Sequence, residues 1–451
     1  MSLKRSFGLA AIGLVVVAMG VQAQVKLKPG MAPAPPPLAA PPPANEPAEV
    51  ARLRLLLGPN IRLSYGGVAQ AGGETRLSGA ELRGSGWTLT ADEVVVEGQR
   101  ADGFARMVAR GVSSSEGQAA SLELVNLTLS PGGFGPESLR LDRLAASGLR
   151  LGRDRRVELA SLTLNDYRPG REARLVAEGL TARPGGTVQG VSIRRIAAAA
   201  DGLPGLIASL MQGVAGTPPQ PREGRLSLQA EGLELRGAGN ARLGGMESLD
   251  FRNEYRAGQP AAGRLALNGL EMGMDAPGAE LFRQLGYREL RADASLDATQ
   301  NLDTGRFELG TLAFAVRDAA AIGLALTLDG VRSTAVLGQT DQVALVAARL
   351  RYADQSLYTR YTEMTARERR ITPEALRREW AEMAATRLAD RGPGQAMAPI
   401  REAVQRFING QAREIELALR PPRPLNQRIM EKPPADAAGW QRLLGLTVTA
   451  R

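Results

Sequence analysis

The chain has 451 residues with no cysteine and no histidine; 44% are hydrophobic, only 4% aromatic, and the formal net charge is +9. Without cysteine there are no disulfide staples, no thiolate metal sites and no lipid-modified N-terminal cysteine. Without histidine the chain lacks the commonest general base, the commonest zinc ligand and the usual partner of a serine nucleophile, so most hydrolase constellations are closed to it.

In chain order, residues 1–23 read as an export signal. Lys4 and Arg5 form a positive start, Phe7 to Met19 is an apolar run, and Val21-Gln22-Ala23 offers a small-x-small cleavage site between Ala23 and Gln24. An uncleaved anchor is the alternative, but Phe7 to Val21 falls short of the roughly 20 residues that span a bilayer core. Cleavage and a periplasmic location are the expectation. Residues 24–49 are rich in proline and alanine, as in PGMAPAPPPLAAPPPANEP, and read as a polyproline II tether.

From about Val50 the chain repeats one apolar phrase, with large apolar residues at i, i+2, i+5 and i+7. It occurs as Leu122, Leu124, Leu127 and Leu129, and again as Val157, Leu159, Leu162 and Leu164. It returns as Leu265, Leu267, Leu270 and Met272, then as Phe307, Leu309, Leu312 and Phe314. A spacing of two is the strand period. The step of three flips the second half to the other face unless a bulge or turn absorbs a residue. The expectation is a mainly β, α+β protein: repeated short antiparallel strands in a curved meander, sandwich or open trough. The phrase starts at Leu122, Leu139 and Val157 are nearly evenly spaced, which suggests one hairpin per repeat.

Three regions follow: an N-terminal β-rich domain over 50–215, a second β-rich region over 222–353, and a helical pair with closing strands over 354–451, packed on the second region. Leu203 to Val214 reads as a short helix, and the proline-rich Gly216 to Glu223 as the boundary. Gly278 to Leu285 suggests a helical turn or two. Thr372 is placed to cap a helix with Pro373 at its first position, and Leu376, Trp380, Met383 and Leu388 form its apolar stripe. A second helix carries Ile400, Val404, Phe407 and Ile408 and stops at Gly410. Both stripes are expected to pack on the sheet. Strands at Ile415–Leu419 and LTVTA close the chain.

No constellation points to catalysis, and no metal or cofactor site is expected. Asp297, Asn301 and Asp303 sit at the wrong offsets for a calcium loop and suit a hairpin turn better. Gly237 to Gly245 lacks the dinucleotide fingerprint and reads as a turn or bulge. The basic excess is almost wholly arginine, whose planar fork suits phosphate. Phospholipid or lipopolysaccharide is therefore a natural partner, although the coding bias of a GC-rich genome yields the same excess. Another envelope protein is the other partner class, and nucleic acid is not expected because aromatics do not interleave with the basic pairs. The aliphatic face is either a closed core or a slot for acyl chains. At about 0.8 kcal/mol per methylene, a chain of roughly 14 carbons gains on the order of 11 kcal/mol before ordering costs.

The LxLxxLxL phrases, the hairpin NLDTGRFELGTLAF and the late helical run into AVQRFINGQAREIELALRPPRPL resemble the periplasmic AsmA-like proteins. WTLTADEVVVEGQ and MVARGVSSSEGQAASLELVNLTL are also similar to units of the lipopolysaccharide-transport bridge proteins. The likeness spans most of residues 80–420 and carries over no binding or catalytic residue. It implies a long β-rich body outside the cytoplasm, handling lipid in support of outer-membrane integrity, and the lack of a catalytic constellation makes a non-enzymatic protein the expectation. The alternative is a periplasmic structural or protein-interaction module with a closed core and no ligand.

Overall fold

The computed structural model describes residues 46–59, 61–84, 87–129, 139–152, 157–201, 223–274, 276, 279–332, 342–389, 396–426, 434 and 436–451. The leader with Ala23 and Gln24, most of the tether, the helix expected over Leu203 to Val214 and nearly all of the boundary after it lie outside these residues. The protein is mainly β, with its helices mostly C-terminal. It divides into two compact units: one runs to Gly232 and includes Gly237–Asn240, the other holds Leu233–Arg236 and Ala241–Arg451. The division thus falls inside a strand, some residues beyond the proline-rich stretch.

Unit 1 opens with helix α1 (Ala48–Leu57), where the sequence suggested strand. Val50, Leu53 and Leu57 are spaced to share one helical face, and all three are buried. Strands β1 (Arg62–Ser64) and β2 (Gly67–Ala71) both pair with β3 (Glu74–Gly84). A meander follows through β4 (Trp87–Gln99), β5 (Gly103–Ser114), β6 (Gly117–Leu129) and β7 (Leu139–Leu151). It continues through β8 (Val157–Tyr167), β9 (Glu172–Ala182) and β10 (Gly190–Asp201), and each strand from β3 to β10 is antiparallel to the next. Strand β11 (Gly224–Arg236) spans the division.

Unit 2 continues with β12 (Arg242–Arg256), β13 (Gln259–Met272), a short helix α2 (Glu280–Gln284) and β14 (Leu290–Asn301). Next come β15 (Arg306–Val316), β16 (Ala320–Asp329) and β17 (Ala344–Asp354). Helices α3 (Leu357–Arg369), α4 (Pro373–Arg387) and α5 (Ala398–Ile408) lead to β18 (Glu414–Leu419), α6 (Ala437–Leu444) and β19 (Leu446–Ala450). Strands β12 to β19 again pair antiparallel in chain order.

Two expectations need correction. Most strands are not short: β6 and β7 each run 13 residues and β12 runs 15. The repeat is one strand plus its turn, not one hairpin, since Leu122, Leu139 and Val157 fall in three successive strands. The reason lies at the step of three, which the strands absorb without breaking. In unit 2 the extra residue is a bulge. Leu267 faces Ala294 and Leu270 faces Ala292, three residues against two, so both leucines keep one face. Gly269 takes φ 60° there, and its N–H donates to Asp293 Oδ1 at 2.7 Å. Leu309 and Leu312 do the same against Leu326 and Leu324. In unit 1 the partner strand makes the same step at the same place. Met107 and Phe104 face Leu124 and Leu127, while Leu149 and Ala146 face Leu159 and Leu162.

The turns follow local chemistry. Asn301 Oδ1 accepts the N–H groups of Asp303 and Thr304 at 3.1 and 3.0 Å, and Gly305 at φ 74° completes the β14–β15 hairpin. Thr372 Oγ1 accepts the Ala375 N–H at 3.2 Å, with Pro373 opening α4. Gly410 follows α5 at φ 74°.

Candidate functional site

The same apolar phrase has two outcomes. In unit 1 it builds a closed core. Leu122, Leu124, Leu127 and Leu129 are all buried, as are Leu159, Leu162 and Leu164, while Val157 is half-buried. Helix α1 lies against this face, and Leu53 and Leu57 line a small cavity with Leu77, Phe104, Leu122 and Leu127. The helix is fixed by Glu46, whose carboxylate accepts from Arg54 Nε at 2.9 Å and from the Tyr65 hydroxyl at 3.2 Å. Arg54 also donates to the Leu63 carbonyl. The cavity measures about 90 Å³. That is well below the roughly 300–1,000 Å³ of ligand-binding pockets.

In unit 2 the corresponding face is open. Consecutive partners Phe251, Leu265, Leu296, Leu312, Leu324, Leu350, Leu417 and Val448 form one apolar row across eight strands. At about 4.8 Å per strand the row extends roughly 34 Å. A second row beside it runs Leu249, Leu267, Ala294, Phe314, Ile322, Tyr352, Ile415 and Ala450. Directly opposed residues in an antiparallel pair share a face, and residues two apart along a strand share it too. Leu312, Phe314, Ile322 and Leu350 keep 40, 44, 48 and 43% of their surface exposed, and Leu270 keeps 38%. Leu265, Leu267, Phe307 and Leu309 are half-buried. A contiguous set of half-open large aliphatics is the informative deviation, since single exposed leucines are ordinary.

The opposite face of the same strands is polar. Arg264 faces Asp297, Asp297 faces Thr311, and Arg351 faces Glu416. Arg351 Nη2 donates to Glu414 at 2.6 Å, which holds the Glu414 carboxyl below its ordinary value. This sheet is therefore two-sided by chemistry, and its apolar side is the one left partly uncovered.

Helices and aromatics close one end of that side. Leu285, Tyr287, Leu290 and Ala319 form a buried cluster packed by Met272, Phe282, Val316, Leu357 and Met364. Phe407 on α5 meets Tyr352 edge-on at 5.8 Å and Tyr358 at 5.4 Å. The Tyr358 hydroxyl donates to the Ile408 carbonyl at 2.8 Å. Trp380 on α4 stacks on the exposed Tyr361 at 6.4 Å, and Arg360 lies over the Tyr287 ring at 4.3 Å. Burial, aided by the nearby Asp354 carboxylate, raises the Tyr352 phenol well above its ordinary value, and burial raises Tyr358 as well. Both stay neutral, and Tyr352 donates to Asp354 Oδ1 at 3.1 Å.

Sequence reasoning placed every apolar-phrase residue on an aliphatic face but left open whether that face is covered. It missed the aromatic wall. Seven of the chain's 18 aromatics (Phe282, Tyr287, Tyr352, Tyr358, Tyr361, Trp380 and Phe407) collect around the helices. The available signal was their concentration after residue 280 in a chain so poor in aromatics. The α4 stripe also differs from expectation. Leu376 is buried, but Met383 is 46% exposed, and α4 packs mainly on α3 and α5. A third helix, α3, accompanies the expected pair and carries Tyr358 and Tyr361 into the wall.

Among the described residues no group of three or more acidic side chains is arranged to hold a metal ion. The segment around Asn301 and Asp303 forms the expected hairpin turn, with Asn301 occupied by backbone. Gly237 to Gly245 is the turn between β11 and β12 and the start of β12. No helix among the described residues is long and apolar enough to cross a membrane.

A family model described as "Uncharacterized protein" matches residues 313–451, which takes in the end of β15, all later strands and helices α3 to α6. A search of curated proteins finds no match.

Proposed function

We propose that this is an exported, non-enzymatic protein of the bacterial envelope that binds or transfers lipid on the apolar face of unit 2. The observation that carries the reading is the pair of apolar rows left partly exposed beside an aromatic wall, most openly at Leu312, Phe314, Ile322 and Leu350. A monomer that leaves such a face uncovered keeps paired strands ready to receive an apolar ligand without unfolding anything. The export-like leader and the resemblance to AsmA-like proteins support the periplasmic setting, and phospholipid or lipopolysaccharide is the ligand class. The neutral, half-buried phenols and the absence of histidine fit a surface that holds a ligand and does not transform it.

The test is native mass spectrometry, with lipid extraction, of protein recovered from a periplasm. Co-purified lipid is expected with the parent chain and is lost at least tenfold in Leu312→Asp/Leu350→Asp. These sites are exposed enough to accept a carboxylate with the fold intact, which far-UV circular dichroism checks. A lipid-free parent protein sinks the proposal.

A second reading, an interaction module, is favoured by the last strand. Among the described strands β19 pairs only with β18, and an edge strand of this kind is a place where a partner's strand can add. A lipid-free chain that captures one envelope protein through residues 446–450 supports it.

A further inference from the structure

Unit 1 carries a cationic cleft of about 610 Å³ on the polar side of its sheet, lined by Arg100, Asn126, Thr128, Arg140, Asp142 and the β8–β9 turn with Arg168 and Arg171. Thr128 and Arg140 are opposed partners in β6 and β7. They alternate with the buried Leu127, Leu129, Leu139 and Leu141, so they point away from the core. Four guanidinium groups thus surround one carboxylate, a net charge of +3 from the lining residues (four minus one).

The cleft is internally organised. Arg100 Nη2 donates to Asn126 Oδ1 at 2.9 Å, Asn126 Nδ2 donates to Asp142 Oδ2 at 2.7 Å, and Arg168 donates to Asp142 Oδ1. Asn126 sits at φ 50°, the turn that brings its amide into this chain of contacts. The single carboxylate is therefore used up in orienting Arg168 and, through Asn126, Arg100. No carboxylate among the described residues pairs with Arg140 or Arg171, and both are exposed. Like charges gathered around one cleft repel each other, and an anion seated among them removes that repulsion.

We propose that this cleft binds a phosphomonoester-type dianion. Such a group carries a charge of about −1.5 to −2 and three acceptor oxygens, which suits several forks arriving from different strands. One carboxylate ligand is satisfied by a single fork. The phosphate belongs either to a lipid headgroup or to a soluble phosphomonoester. The site stands independently of the apolar face, being in the other unit and built from other residues.

The experiment uses the full chain and two probes: glycerol 3-phosphate followed by calorimetry, and phosphatidylcholine vesicles with or without phosphatidic acid followed by co-sedimentation. Arg140→Gln/Arg171→Gln, which breaks no ion pair among the described residues, weakens binding at least tenfold. Arg150→Gln, at the far end of the same strand β7, leaves it within twofold. Binding of both probes with this pattern assigns a lipid headgroup, and binding of glycerol 3-phosphate alone assigns a soluble ligand. If neither probe binds the parent chain, or if Arg150→Gln weakens binding as much as the double variant, the proposal is overturned.

Discussion

Tyr352 joins the two halves of the candidate site: its ring belongs to an apolar row and touches Phe407, while its hydroxyl reaches Asp354. Its phenol titrates above the ordinary 10.0 because burial disfavours the charged form and Asp354 repels it. A group whose native value is raised contributes stability that is whole below its unfolded value and is lost as pH climbs from there toward the native one. Denaturant melts between pH 8 and 11 should therefore show stability falling above about pH 10, more shallowly in Tyr352→Phe. Parallel declines in the two proteins would remove Tyr352 as the cause. This role was not readable beforehand, since one tyrosine in a strand-like run does not reveal what a helix more than fifty residues later lays against it.

At the level of elements, the two-residue period and the step of three were both legible in the sequence, and so was the residue that reconciles them. In Leu265-Ala-Leu-Asn-Gly-Leu270 a glycine stands just before the second half of the phrase, and Gly148 and Gly179 stand likewise before Leu149 and Leu180. Read as a licence for positive φ, that glycine predicts one long kinked strand and not two short ones. Gly148→Ala tests the device. The new methyl would stand 2.9 Å from the Ala120 Cβ at φ 59°, and such a substitution costs roughly 1–3 kcal/mol. Thermal melting should fall by several degrees, while the exposed Arg150→Gln leaves it unchanged. Helix α1 escaped notice for a different reason. Leu55 carries the apolar run onto its outer side, where it is 82% exposed, and Leu56 packs on the core beside the stripe, so the helical spacing of Val50, Leu53 and Leu57 is blurred. The division within β11 was equally hidden, because a unit boundary set by which strands pack together need not coincide with a composition shift.

For the molecule as a whole, the coverage of each face was the illegible part. Leu162 and Leu312 occupy equivalent places in the repeated phrase, yet one is fully buried and the other 40% exposed. Exposure depends on what packs against the face, α1 in one unit and α2 to α5 in the other, and none of that is written in the phrase. The contrast predicts opposite responses to one chemical change. Leu162→Asp places a carboxylate in a closed core and should abolish cooperative folding of unit 1, since a buried unpaired charge costs several kcal/mol. Leu312→Asp should leave the melting curve nearly unchanged. Similar losses in both variants would mean that unit 2's face is in fact covered.

The meander has a kinetic corollary. Among the described strands, every pairing from β3 to β10, and again from β12 to β19, joins a strand to its immediate successor. Ordering one more strand then closes only a short loop onto a template already in place, and the entropic toll never accumulates with chain length. Such a polypeptide can zip up progressively as it emerges from a narrow exit, first residue to last, without waiting for its far terminus.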